Sequence, residues 1–256
     1  MSAATPPPFE ARGIVRAYGE RRVVDEVDLV LEAGTITAII GPNGAGKTSL
    51  FDALSGVEEP DAGTVHLEGT DVTRRAPDQR ARRGLARTFQ QSTVFATLTV
   101  EENLRVGAEN RHRDGVGRGL VGLPDRRARE ARRITEEVLT ELGLRLVRHV
   151  PAGRLPTGTL RLVELGRALC TRPRVLLLDE PASGLDDAET EELHQILHRL
   201  AGRGLAILLV EHDLDLVTDA ADLVHVMVAG RVVASGPPSE VMARPEVRAV
   251  TSGPFT

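Results

Sequence analysis

The stretch GPNGAGKT, Gly41 to Thr48, limits what this chain can fold into more than any other segment. It fits the pattern G-x-x-x-x-G-K-[S/T]. It stands between ITAII, Ile36 to Ile40, a short run suited to a strand, and SLFDALSG, which reads as a helix. A strand that breaks into glycines and restarts as a helix turns successive backbone N–H groups into one concavity, and the helix adds the positive end of its dipole. Such a nest suits a polyphosphate. The residues expected to line it are Gly41, Asn43, Gly44, Ala45, Gly46, Lys47 and Thr48.

The chain carries 31 arginines and a single lysine, and that lysine is Lys47. An ammonium is a compact point charge on a thin stem, whereas a guanidinium is a broad planar fork that would collide with a tight loop. Arginine elsewhere is then compositional habit, and Lys47 a chemical requirement. The Thr48 hydroxyl is expected to meet Mg²⁺.

A second motif, RVLLLDEP, supplies carboxylates. Val175 to Leu178 read as a buried strand that delivers Asp179 and Glu180 at its carboxyl end, where sheets of this type bind ligands. Asp179 is expected to hold Mg²⁺ through water, and Glu180 to polarise an attacking water.

The rest of the sequence frames a parallel α/β fold. Phe9 to Leu31 read as antiparallel strands and a hairpin, and GTVHLEGTDV returns to strand alternation. The middle, about 93 to 170, is largely helical, with Ile134, Val138 and Leu142 forming one apolar stripe on a long arginine-rich helix. Strands then alternate with helices, which implies a parallel sheet covered on both faces. The expected organisation is a loose tail at 1–8, a core from 9–92 and 171–235, a helical subdomain at 93–170 and a helical tail at 236–256.

Hydrophobic residues at 41% and charged residues at 27% are ordinary for a soluble globular chain, and a net charge of −5 gives no support to nucleic-acid binding. No segment has the apolar length of a membrane span, and the start lacks the pattern of a secretory signal. The one cysteine, Cys170, makes no intrachain disulfide and reads as a small buried residue. His194 and His198, four apart on a helix, read as a solvated face rather than a metal site. The arginine runs at 80–87 and 126–133 read as surface, with the second as a docking face for an acidic partner or lipid headgroups the lesser alternative.

Taken together, these motifs resemble the ATP-binding subunit of an ABC transporter over nearly the whole chain, and in detail the branched-chain amino acid uptake branch. The resemblance implies a P-loop NTPase fold of the ABC type, with a RecA-like core, an N-terminal antiparallel β portion and an inserted helical subdomain. ATP and Mg²⁺ are the implied ligands. Tyr18 lies where the family stacks adenine, Gln90 in RTFQQ matches the Q-loop glutamine, and Ser183 to Asp186 match the D-loop at the dimer interface. His212 in LLVEHD matches the switch histidine that contacts the γ-phosphate. The signature departs from the common LSGGQ: the aligned residues are Leu155, Pro156, Thr157, Gly158 and Thr159.

The implied partners are a second ATP-binding subunit (the same chain or a different one), two transmembrane permease subunits and an extracytoplasmic solute-binding protein. The implied place is the cytoplasmic face of the membrane. An exporter ATPase shares the same core motifs, and a soluble cassette acting on ribosomes or DNA is the further alternative. Branched-chain amino acids are the family default for the solute, with urea or short amides also open.

Overall fold

The computed structural model describes residues 5–88, 94–110, 126–211 and 214–251. In chain order the strands are β1 (Phe9–Tyr18), β2 (Arg21–Leu31), β3 (Ile36–Ile40), β4 (Ala62–Leu67), β5 (Thr70–Asp71), β6 (Leu85–Arg87), β7 (Val175–Asp179), β8 (Ala206–Val210), β9 (Leu223–Val228) and β10 (Arg231–Gly236). The helices are α1 (Lys47–Ser55), α2 (Pro77–Arg82), α3 (Val100–Asn110), α4 (Arg126–Glu141), α5 (Thr157–Leu169), α6 (Asp187–Ala201), α7 (Leu214–Ala220), α8 (Pro238–Met242) and α9 (Pro245–Thr251).

These strands build two sheets. The first is antiparallel, in the order β2-β1-β4-β5; the second runs β10-β9-β3-β8-β7-β6 and is parallel except for β10. The reason β3, β7 and β8 are buried throughout lies in how they are covered. Side chains alternate along a strand, so successive residues enter different layers. Ile36, Ala38, Ile40, Leu176, Leu178, Ile207 and Leu209 join the cluster that includes Leu104 of α3, Ile134 of α4, Val163 of α5 and Leu193 of α6. Ile39, Val175, Leu177, Leu208 and Val210 join the opposite cluster, with Phe51 and Leu54 of α1 and Phe9, Ile14 and Leu29 of the antiparallel sheet. Truncating one such leucine to alanine costs about 2–5 kcal/mol, so either layer is sensitive to a single cavity.

Two sequence expectations need correction. The run at 80–87 is not a surface stripe: Arg80 is fully buried and Arg87 nearly so, while Arg82 and Arg83 are exposed. Arg80 goes inside because its guanidinium meets backbone carbonyls at the end of α1. His194 is buried as well, since the covered face of α6 is wide enough to include it beside Leu193 and Leu197; His198 stays exposed. Next to β1, the Pro8 carbonyl accepts the Glu68 N–H at 3.1 Å. Cys170 is buried, and desolvation pushes its thiol up to about 12. No described helix is long and apolar enough to cross a membrane.

Candidate functional site

Register places the site. Ile39 pairs with Val210, and Val210 pairs with Asp179, so three neighbouring parallel strands end at the same level. Beyond that level lie the glycine loop after β3, Glu211 after β8 and Glu180 after β7. The carboxyl ends of parallel strands are where such sheets bind ligands, because the backbone there opens away from the helices.

The loop is shaped by its neighbours. Gly41, Gly44 and Gly46 have φ of 154°, 77° and 102°. A Cβ on Gly41 would overlap the Met227 carbonyl oxygen, and one on Gly46 the Val23 carbonyl oxygen, whereas one on Gly44 meets nothing within 4 Å. Two glycines are thus required by backbone packing against β9 and β2; Gly44 is required by conformation at the open rim. The Ala45 carbonyl accepts the Gly230 N–H at 2.9 Å, which straps the loop to the β9–β10 turn.

Lys47 opens α1 and its side chain is 9% exposed. Its Nζ donates to the Gly41 carbonyl at 2.6 Å and the Pro42 carbonyl at 3.1 Å. Burial pulls the ammonium below the usual lysine range, and the Glu180 and Asp179 carboxylates act in the opposite sense. Asn43, Gly44 and Thr48 are exposed at the mouth.

Asp179 is 5% exposed. Burial pushes its carboxyl up, opposed by the nearby Arg87 guanidinium, whose Nη2 lies 3.4 Å from Oδ2. Glu180 has φ of +48°, rare for a non-glycine and of order 1–3 kcal/mol in strain. The conformation persists because its N–H donates to the Val210 carbonyl at 3.0 Å and its own carbonyl accepts Ser183 N–H at 3.1 Å. Strain that is held from both sides aims one carboxylate at one place.

Other expected residues are placed as follows. Tyr18 is 49% exposed, with Arg16 Cζ 4.9 Å from its ring centroid and its hydroxyl donating to Glu58 at 2.7 Å. Leu155 ends the short helical turn Ala152–Arg154, Pro156 caps α5 without a side-chain hydrogen bond, and Thr157 and Gly158 form its first turn. A Cβ on Gly158 would overlap the Glu189 carboxylate. Asp186 accepts the Glu189 N–H at 2.8 Å in a capping box at the start of α6, so its carboxylate is committed to that helix. Gln90 and His212 lie outside the described residues.

One residue here went unread in the sequence, and another was read as surface. Glu211 is 2% exposed and accepts the Ala182 N–H at 3.2 Å, tying the end of β8 to the turn after Glu180. Its signal was present: LLVE repeats the apolar-run-then-carboxylate pattern of VLLLDE. Arg87, the other, is taken up below.

A glycine loop leading into a helix, a buried lysine and a carboxylate pair on the neighbouring strand define the class: a phosphate-loop nucleotide-hydrolysing domain. Comparison with known proteins makes this specific. Residues 24–183 match the family model described as ABC transporter. The chain is 36% identical over 245 residues to the high-affinity branched-chain amino acid transport ATP-binding protein BraF of Pseudomonas aeruginosa, covering 94% of this chain and 96% of that one. It is 34% identical over 244 residues to LivG of Escherichia coli K12, of the same description, with the same coverage. Among solved structures, the ADP conformation of MJ1267, an ATP-binding cassette of an ABC transporter, superposes with a TM-score of 0.84 at 29% identity, over 97% of this chain and 100% of that one. The chain belongs to the ABC transporter family, as an ATP-binding subunit with ATPase activity.

Proposed function

We propose that this chain powers an ABC importer for branched-chain amino acids, gripping ATP at the loop after β3 and hydrolysing it with carboxylates delivered by β7. The observation that carries the site is Lys47: a nearly buried ammonium, held at 2.6 and 3.1 Å by two loop carbonyls, facing Asp179 and Glu180. A primary amine in a cage of backbone serves a polyphosphate tail and little else. The solute is supported by the two bacterial relatives, whose alignment runs nearly end to end.

In this reading the N–H groups of Gly41, Asn43, Gly44 and Gly46, with Ala45 shaping the same loop through its own bond to the Pro42 carbonyl, and the Lys47 ammonium bind the β- and γ-phosphates. Tyr18 stacks the adenine on its open face. Glu180 accepts a hydrogen bond from water and draws its proton as oxygen attacks the γ-phosphorus and the bond to the ADP oxygen breaks. His212 contacts the γ-phosphate, and Gln90 senses the metal and the permease.

Mg²⁺ fits the donor set. Thr48 and Asp179 offer hard oxygen ligands, and no cluster of three or more acidic, histidine or cysteine side chains among the described residues would form a full protein cage. That matches an ion held by one or two side chains together with phosphate oxygens. When bound at Thr48 and Asp179, Mg²⁺ would neutralise the negative charge that develops on the phosphate oxygens.

A second ATP-binding subunit completes the site in trans, with Leu155, Thr157 and Gly158 at the start of α5 facing the partner's nucleotide and Asp186 following the turn at the dimer interface. The groove between the core and the helices, about 520 Å³ and lined by Val57, Leu85, Phe95, Val106 and Arg167 among others, receives the permease. Two permease subunits and an external solute-binding protein complete the assembly, with this chain at the cytoplasmic face and no nucleic acid involved.

Glu180→Gln tests the hydrolytic half: ATP binding measured by titration should persist while turnover in the assembled transporter falls about 10²–10⁴-fold. Wild-type turnover in that variant would remove Glu180 from the chemistry. Amino-acid-stimulated ATPase in the reconstituted assembly tests the solute; stimulation by a different solute class alone would overturn that part.

A further inference from the structure

Arg87 ends β6, the edge strand beside β7, and its side chain is 8% exposed. Its Nη1 donates to Asp52 Oδ1 at 2.5 Å and to Ser55 Oγ at 2.8 Å, both on α1. Its Nη2 reaches Asp179 Oδ2 at 3.4 Å, and its Cζ lies 5.7 Å from the Phe51 ring centroid. One guanidinium therefore spans two elements that leave the site in different directions: the helix that Lys47 begins and the strand that Asp179 ends. The Thr88 N–H, donating to the Leu177 carbonyl at 3.0 Å, keeps the next residue on the sheet and fixes the point from which Arg87 projects.

The geometry divides the work within the guanidinium. The shorter bonds are to α1, so α1 orients the planar fork; the longer contact leaves the Asp179 carboxylate aligned but not saturated. A carboxylate whose second oxygen must serve a cation needs a partner of this kind, because outer hydrogen bonds orient metal ligands and tune their affinity. Lysine could not do the same, since a single ammonium nitrogen lacks the rigid fork that holds two carboxylates apart.

We infer that Arg87 is a positioning residue for Asp179, fixing the metal-facing carboxylate relative to the phosphate-loop helix. This rests on the reading of Asp179 as a metal ligand, and the test separates the two. ATP affinity of the full chain is measured by titration calorimetry in EDTA and again in Mg²⁺, for the wild type, Arg87→Met, Arg87→Lys, Asp179→Asn and the double variant Arg87→Met with Asp179→Asn.

Arg87→Met should keep the metal-free affinity within about twofold and lose roughly tenfold or more of the gain conferred by Mg²⁺. Arg87→Lys should recover part of that gain. The double variant should lose no more than Asp179→Asn alone, because the two act through one carboxylate. Should Arg87→Met not fold, Asp52→Asn removes the guanidinium's closest anchor at a side chain that is 22% exposed, and should lower the same gain on the order of threefold. A purely structural staple would lower the melting temperature yet leave the metal-dependent gain intact. That outcome, with Asp179→Asn still sensitive, overturns the role of Arg87 alone; a wild-type chain, or an Asp179→Asn variant, whose behaviour shows no role for the metal at this carboxylate overturns both readings.

Discussion

Helix α1 is held at its two ends by buried cations that do opposite jobs. At the C-terminal end Arg80 is fully buried and donates to four carbonyls: Arg75 at 3.0 Å, Ala53 at 2.9 Å, Leu54 at 2.6 Å and Thr73 at 2.7 Å. These include the last carbonyls of α1, which have no partner within the helix, so the guanidinium is a cap and a counter-charge to the dipole together. At the N-terminal end Lys47 uses two carbonyls, which leaves one of its three ammonium donors over, in a residue that is 9% exposed. Both cations are desolvated, and burial pulls both below their usual ranges, Arg80 to about 10. Burial alone thus does not mark function. What separates the two is placement: a cation sealed from solvent with four of its five donors on backbone holds the fold together, and one with a donor to spare, slightly exposed at the positive end of a helix, binds something.

Substitutions can break this contrast in graded steps. The largest effect on stability is expected from Arg80→Ala, which removes hydrogen bonds to four carbonyls, two of them in buried pairs at the end of α1, and should cost about 3–5 kcal/mol in denaturant unfolding, with nucleotide affinity of the folded fraction unchanged. Gly46→Ala comes next. Its Cβ has nowhere to go against Val23, and the loop must shift, lowering stability by about 2 kcal/mol and nucleotide affinity with it. Arg80→Lys should retain one or two of the four bonds and cost about 1–2 kcal/mol. Gly44→Ala is the smallest, near 1 kcal/mol, since only the positive φ opposes it. Equal penalties at Gly44 and Gly46 would refute the distinction between a packed loop base and an open rim.

Local chemistry is what the sequence makes legible. The loop from Gly41 to Thr48, the strand Val175 to Leu178 and the paired Asp179 and Glu180 each carry their meaning within a few residues, because strand, turn and helix signals are short-range. The buried arginines are not legible in that way. Arg80 meets the carbonyls of residues 26 and 27 positions away, and Arg87 meets Asp179 across 92. Nothing in RAPDQRARRGLARTFQ tells which arginines turn inward, since the acceptors belong to α1 and β7 and exist only once the sheet has formed. His194 was misplaced for a related reason: an apolar stripe read at every third or fourth residue gives the centre of the covered face of α6, not its width. Glu211 lies between these cases, visible as a carboxylate after an apolar run but meaningful only beside Ala182.

The central claim is that the spare donor of Lys47 grips the terminal phosphates. Calorimetric titration of ATP with Mg²⁺ into the wild-type chain and into Lys47→Ala tests it most directly, with thermal unfolding of both recorded in parallel. The account predicts saturable heat for the wild type, affinity weakened roughly 100-fold in the variant, a loss near 3 kcal/mol, and unfolding temperatures within a few degrees of each other. Equal affinity in the two proteins, or a variant that unfolds as readily as one lacking Arg80, would contradict it.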